Sequence, residues 1–169
     1  MIISGKHIVE MGIVTNLADP KCQIQPAGID FTLGRLSTLK SAGVLDFDNT
    51  RRKLPEYEQV KFDAEGKVHL KPGAYLVEFN ETVKMPVNLM AMLQTRSSVF
   101  RSGATLIAGV LDPGYQGVCG ALLQVWNEHG ISLYHNAKLA QWVFVEISNP
   151  SGDSYRGVYS GADSMFKPI

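Results

Sequence analysis

Between Thr95 and Gly117 the chain reads TRSSVFRSGATLIAGVLDPGYQG, two arginines, three serines and one aspartate set into a largely apolar run. Arg96, Ser97 and Ser98 stand at the start of a short helical stretch, SSVFRSG. Free backbone N–H groups beside a guanidinium fork suit an anion, and Ser97 or Ser98 is expected to cap the helix. An ordinary capped helix with a surface arginine fits the same residues. Arg101, three positions after Ser98, returns to the same side of the turn and can face the same anion. Further on, Asp112 closes an apolar strand, and Pro113-Gly114 gives a turn of type II pattern. A carboxylate at the mouth of an apolar pocket can act as a general base on water, with the flat ring of Tyr115 offered to a sugar or base. A plain turn aspartate is the competing reading.

Two further polar residues sit in apolar strands. Asp30, in AGIDFTLG, needs a partner there, either a metal-bound water or nearby backbone N–H groups. Gln141, in KLAQWVFVEI, needs hydrogen bonds for its amide. His7, His69, His129 and His135 lack the spacing of zinc ligands.

The elements that must position these residues are strands. QIQPAGIDFTLGRLSTL, EQVKF, KVHL and AYLVEFN are separated by polar or Gly-containing stretches, among them AEG, KPG and NETV. NLMAMLQT, ATLIAGVL, GVCGALLQVWN, ISLYHN and KLAQWVFVEI follow. Ser4 is expected to cap a short leading helix carrying Ile8, Val9 and Met11. Arg51 to Glu58, RRKLPEYE, reads as an exposed loop. Many short strands and almost no long helix make an all-β sandwich or barrel. Residues 1–148 form one domain, and 149–169, rich in Gly, Ser, Asp and Pro, form a mobile arm anchored by Tyr155, Tyr159 and Phe166.

With 169 residues, 16 Lys plus Arg and 16 Asp plus Glu, the chain has no global field to draw it to nucleic acid or anionic membrane. Its N-terminus has neither the pattern of a signal peptide nor that of a membrane span. Two cysteines without a CxxC neighbour fit a reducing cytoplasm.

In this order the segments resemble the dUTPase and dCTP deaminase superfamily, from about Gln25 to Gly161. AGIDF, TRSSVFRSG, GVLDPGYQG and AKLAQWVF are similar to its first four motifs. The tail YRGVYSG resembles the C-terminal motif of its archaeal-type and deaminase-like members. The resemblance implies a distorted β-barrel of jelly-roll type, a homotrimer with active sites at subunit interfaces, and Mg²⁺-assisted hydrolysis of dUTP to dUMP and pyrophosphate. It implies that Arg96, Ser97 and Ser98 bind the triphosphate and that Asp112 activates water. Tyr115 would pack under the deoxyribose, the backbone near Gly109 and Val110 would read the pyrimidine, and Gln141 would contact phosphates or water. Asp30 would hold Mg²⁺ through water, while Arg156 and Tyr159 of the arm would close over the site.

Deaminases of this superfamily carry a glutamate on the strand after the third motif. Counting back from Asn127 puts Gln124 there, and a neutral amide cannot shuttle protons. A bulge in the strand that starts at Gly117 would shift that count. The deaminases also have an arginine where this chain has Val110. Both departures favour dUTP hydrolysis over dCTP deamination, alone or in a bifunctional enzyme. Near the fourth motif, Asn136 replaces a turn glycine and Lys138 an arginine, keeping the left-handed turn and the charge but losing the fork. An inert nucleotide-binding jelly roll is the non-enzymatic alternative.

Overall fold

The computed structural model describes residues 1–150, 152–155, 157, 161 and 163–166. Its strands are β1 (Ile2–Ile3), β2 (Val14–Thr15), β3 (Ile24–Gln25), β4 (Gly28–Leu39), β5 (Tyr57–Gln59), β6 (Lys67–Leu70), β7 (Gly73–Lys84), β8 (Leu89–Thr95), β9 (Ala104–Ile107), β10 (Gln116–Val125), β11 (Ile131–Tyr134) and β12 (Lys138–Glu146). Three short helices join them: α1 (Gly5–Glu10), α2 (Pro20–Gln23) and α3 (Ser97–Arg101). None of the described helices is long and apolar enough to cross a membrane. Ser4 caps α1 as expected, its hydroxyl accepting from the His7 N–H. The α2 turn was not foreseen. Asp19 caps it and Pro20 opens it, which suits a residue with no N–H to satisfy.

The main sheet runs β1-β12-β4-β7-β10-β9, with β8 also on β12, and every described pairing is antiparallel. β4 gives the sheet its curl. Its first residues pair with β12, while Leu33 to Thr38 pair with β7 across a register shift at Gly34, so one strand belongs to both faces of a half-barrel. The expected β-barrel is therefore observed as a curled antiparallel half-barrel. Its core is filled by side chains such as Phe31, Phe79, Trp142 and Phe144; the Phe31 and Phe79 rings meet edge to face, 5.7 Å between centroids.

Sequence and structure differ most at NETV, read above as a separator. β7 runs straight through it to Lys84, because Glu81 is fully buried and satisfied from afar. Its carboxylate accepts from Gln23 Nε2 at 2.6 Å, the Thr32 hydroxyl at 2.6 Å and the Thr32 N–H at 2.9 Å. Burial nevertheless raises its pKa, with these hydrogen bonds pulling the other way. Elsewhere β5 is shorter than EQVKF, and β9 ends at Ile107 rather than running on to Leu111. The segment 51–58, expected to be an exposed loop, is exposed at Arg51, Lys53, Glu56 and Glu58 and half-buried at Arg52, Leu54, Pro55 and Tyr57, with Leu54 and Tyr57 lining a cavity described below. Asn136 adopts the expected left-handed conformation, φ 61°, and its Oδ1 accepts from Asn80 Nδ2 at 2.9 Å.

Candidate functional site

The predicted site residues fall into two groups, held by different elements. The first gathers at the open ends of β4, β8 and β12. Gln141 pairs in register with Asp30, and the two strands come so close that a β-carbon on Gly28 would lie 2.1 Å from the Trp142 carbonyl oxygen. Only glycine permits this approach. Asp30 is 2% exposed, and its Oδ2 lies 3.1 Å from Arg96 Nε and 3.3 Å from Lys138 Nζ. Between the two alternatives left for Asp30, metal-bound water or backbone N–H groups, the structure supplies a third: two cations. Arg96 is oriented further by Nη1 donating to the Lys138 carbonyl at 3.1 Å, and Lys138 by donating to the Cys22 carbonyl at 2.9 Å. Thr95, just before it, pins the end of β8 to β9 by accepting from the Leu106 N–H and donating to the Leu106 carbonyl. Of the five guanidinium N–H groups, those not so used remain for a ligand.

The serine caps expected of α3 do not form. Arg96 occupies the N-cap position and no side chain caps the helix; Ser97 and Ser98 are exposed, so both hydroxyls face solvent beside the Arg96 fork. Arg101 is also exposed, with its guanidinium 6.0 Å from the Phe100 ring centroid. Among the described residues no ion pair or hydrogen bond joins it to Arg96. Gln141 is half-buried, with its amide nitrogen towards Gly28.

The second group surrounds a cavity of about 380 Å³. β9 and β10 pair only from Ala104↔Val125 to Ile107↔Leu122; beyond that the arms of the hairpin part, and Leu111 bridges instead to Ala91 on β8. Ala108, Gly109 and Val110 thus face Val118, Cys119 and Gly120 across the cavity. Unpaired backbone N–H and C=O groups on such edges can read the donor and acceptor pattern of a planar ring. At the tip the expected type II turn is present, with the Tyr115 N–H donating to the Asp112 carbonyl at 3.1 Å and Gly114 at φ 78°. Asp112 is exposed at the mouth. Tyr115 is nearly buried, its hydroxyl is committed to the Val118 carbonyl, and burial pushes its pKa up, so it remains a neutral ring.

Trp142, Cys119 and Met165, none of them among the predicted site residues, line this cavity, and so does Tyr155, one of the expected anchors of the C-terminal segment. Tyr155 packs edge-on against Tyr115, 5.6 Å between centroids, and donates its N–H to the Pro113 carbonyl. Phe166 meets Tyr57 and covers Arg35, and Glu78 accepts from the Ser164 hydroxyl and the Met165 N–H. Arg156 and Tyr159 lie outside the described residues. A larger groove of about 840 Å³ beside residues 49–57 contains none of the predicted site residues.

A register shift is present beside the start of β10, but not on the strand where a bulge was expected. Val118 pairs with Thr82 and Gly120 with Glu78, two steps on β10 against four on β7, so the extra residues belong to β7. Gln124 pairs with Ala74 and Thr105 and does not line the cavity. Among the described lining residues the only carboxylate is that of Asp112, a stronger statement than the count from Asn127 provides.

Comparison with known proteins agrees with this anatomy. The chain is 40% identical over 152 residues to a probable deoxyuridine 5'-triphosphate nucleotidohydrolase of Methanosarcina mazei, covering 90% of this chain and 89% of that protein. It is 41% identical over 141 residues to the deoxyuridine 5'-triphosphate nucleotidohydrolase of Methanocaldococcus jannaschii, covering 82% and 88%. In structure it is similar to the 2'-deoxycytidine 5'-triphosphate deaminase of Agrobacterium tumefaciens, with a TM-score of 0.64 and 18% identity over 85% of this chain and 47% of that one, a likeness of fold alone. The family model of dCTP deaminase-like proteins matches residues 3–147, and the chain belongs to that family, within the superfamily of dUTPases and dCTP deaminases.

Proposed function

We propose that the chain is a dUTP diphosphatase, hydrolysing dUTP to dUMP and pyrophosphate with Asp112 as general base. The cavity carries this reading: a splayed hairpin lined by apolar side chains, with Asp112 as its one described carboxylate, at the mouth. A deaminase needs a second acid inside to move protons to and from the ring, and none of the described lining residues supplies it. The names and 40–41% identities of the two archaeal relatives support the same activity.

Uracil enters between the backbone edges at Gly109–Val110 and Val118–Gly120, and the deoxyribose lies on Tyr115. The triphosphate runs to Arg96, Ser97 and Ser98, with Arg101 and Gln141 in reach of its outer oxygens. Asp112 accepts a proton from water as the water oxygen bonds to the α-phosphorus; the α–β bridging bond breaks and pyrophosphate leaves with its electron pair. Base assistance of this kind contributes about 100-fold to 10,000-fold.

Neither Asp30 nor its surroundings fit a resident metal. The carboxylate is buried and already holds two cations, and the described residues contain no group of three or more His, Cys, Asp or Glu side chains able to hold an ion. Mg²⁺ therefore arrives as the counter-ion of the triphosphate, part of the substrate, and Asp30 serves to aim Arg96.

The cavity contains none of Asp30, Arg96, Ser97, Ser98 or Gln141. In this reading the phosphate end and the base end of one site come from different copies of a homotrimer, and the separation of the two groups on one chain supports it. Phe100, Ile107 and Val110, each at least half exposed, give such copies apolar contact surface. The segment 149–169, with Arg156 and Tyr159, closes over the assembled site. An exposed Cys22 and a buried Cys119, both free thiols, suit a cytoplasmic protein.

Parallel incubation with dUTP and dCTP tests the function. Pyrophosphate from dUTP and no ammonia from dCTP are expected, and Asp112→Asn should lower kcat about 100-fold to 10,000-fold. Undiminished turnover in that variant removes Asp112 from the mechanism, and ammonia release makes the chain a deaminase.

A further inference from the structure

Among the described residues that line the cavity, Trp142 is the one with a buried polar side-chain atom that has no hydrogen-bond partner. It is 1% exposed, and among the described residues no acceptor is within hydrogen-bond distance of its indole Nε1–H. Its neighbours explain this: Phe31 lies tilted against it, 6.2 Å between centroids, and β12 places it in the core between Ile29 on β4 and Leu93 on β8. An indole N–H only donates, and burying one unpaired costs more than a made hydrogen bond returns. A phenylalanine or leucine would fill such a site without that cost. Yet Trp142 also lines the cavity that holds Asp112 and Tyr115.

Gly109, Val110 and Asp112 are exposed while Trp142 is almost wholly covered, so the cavity's mouth and floor are defined. Resting on the proposed dUTP hydrolysis, a nucleotide enters with its sugar and phosphates at the mouth. The ring atom farthest from the glycosidic nitrogen is C4, across the six-membered ring, so the C4 substituent goes to the floor. Uracil carries a carbonyl oxygen there, an acceptor; cytosine carries an amino group, a donor.

We propose that the Trp142 indole N–H donates to the C4 carbonyl of the pyrimidine and so selects uracil over cytosine. With uracil the buried donor is satisfied. With cytosine two donors meet in a dry pocket and neither is satisfied, the arrangement that gives strong discrimination. Trp142 is a specificity residue, and the proton chemistry stays with Asp112.

The test compares dUTP with the triphosphate of pyrimidin-2-one deoxyriboside, which lacks the 4-oxygen. Trp142→Phe keeps an aromatic ring and removes the donor. It should lower kcat/KM for dUTP about 10-fold, the worth of one buried neutral hydrogen bond, and that for the analogue less than about 2-fold. It should also make dCTP a better competitive inhibitor. Equal losses on both substrates, or unchanged exclusion of dCTP, overturn the proposal. Should the variant fail to fold, the intact protein labelled with ¹⁵N-indole decides. It has two tryptophans, and Trp126→Phe, a change at an exposed residue outside the site, assigns the signals. The Trp142 indole proton should move downfield with α,β-imido-dUTP and not with the α,β-imido form of the analogue; the same shift with both refutes it. Because that readout is binding, it separates this proposal from the diphosphatase reading, which fails only if dUTP is not turned over.

Discussion

Asp30 holds two cations at one oxygen, and replacing it by asparagine measures what that arrangement contributes. The aspartate side chain is 4% exposed, whereas Arg96 and Lys138 are each 29% exposed. Removing one partner of a fully buried pair costs about 3–5 kcal/mol, because the survivor is left charged and unpaired. Here the surviving cations reach solvent, and an asparagine oxygen still accepts from Arg96 Nε, so about 2 kcal/mol is the appropriate expectation. For a chain of this size that lowers Tm by roughly 4–8 °C. Urea unfolding of Asp30→Asn should show the loss with an unchanged m-value. Kinetics should show more: freed from Asp30, Arg96 no longer points one fork at the phosphates, and kcat/KM for dUTP falls about 10-fold or more. A double-mutant cycle with Lys138→Met attributes the stability term to the pair. If Asp30→Asn unfolds within 0.5 kcal/mol of the parent and hydrolyses dUTP as fast, the carboxylate neither stabilises nor aims Arg96, and the positioning role is wrong.

Two more outcomes follow from the same framework. Glu81 has a pKa raised above its ordinary 4.5, mainly by burial, so the stability that its protonated form contributes is complete below about pH 4.5 and is lost as pH rises through the raised value. The stability advantage of the parent over Glu81→Gln, measured by denaturant titration, should therefore shrink with rising pH, and growth of that advantage refutes the assignment. Gly28→Ala puts a β-carbon 2.1 Å from a backbone oxygen on β12, where no side chain can move aside; a loss of about 3 kcal/mol is expected, and an unchanged urea midpoint contradicts the close approach.

Local chemistry was legible in the sequence wherever the deciding contacts lie within a few residues. Ser4 caps its helix across three positions, Pro113-Gly114 makes its turn, Asn136 takes the left-handed corner, and KVHL is a strand over those same four residues. Reading failed where a residue's state depends on partners far along the chain. Glu81 within NETV reads as polar and turn-like, but its partners are Thr32 and Gln23, 49 and 58 residues away. The α3 cap failed for a related reason. Arg96 is fixed by Asp30 and the Lys138 carbonyl, which sets it at the helix start and leaves the serines uncommitted. Gln124 illustrates a right direction reached through the wrong residue. Its distance from Asn127 placed it where a deaminase glutamate would stand, whereas it pairs with Ala74 and Thr105 away from the cavity, whose described lining has Asp112 as its one carboxylate.

The two groups differ in how far the single chain prepares them. Asp30, Arg96 and Lys138 are tied to one another and to β4, β8 and β12, a rigid seat for charge that exists without a ligand. The base end is more open: beyond Ile107 the hairpin is tied by the Ala91↔Leu111 bridge, the turn at Asp112–Tyr115 and backbone hydrogen bonds from Met85 to Tyr115 and from Tyr155 to Pro113, and Tyr155 and Met165 of the C-terminal segment line the cavity. This division matches what each end must do. A triphosphate binds through long-range attraction and tolerates a preset cluster of cations, since misplacing a charge costs little until the phosphates are desolvated. A uracil ring must be distinguished from cytosine by a few short hydrogen bonds, which carry information only if water is excluded when they form. The almost wholly covered Trp142 at the floor of the cavity meets that requirement, so the preset charges belong at the phosphate seat and the dry surface at the base end.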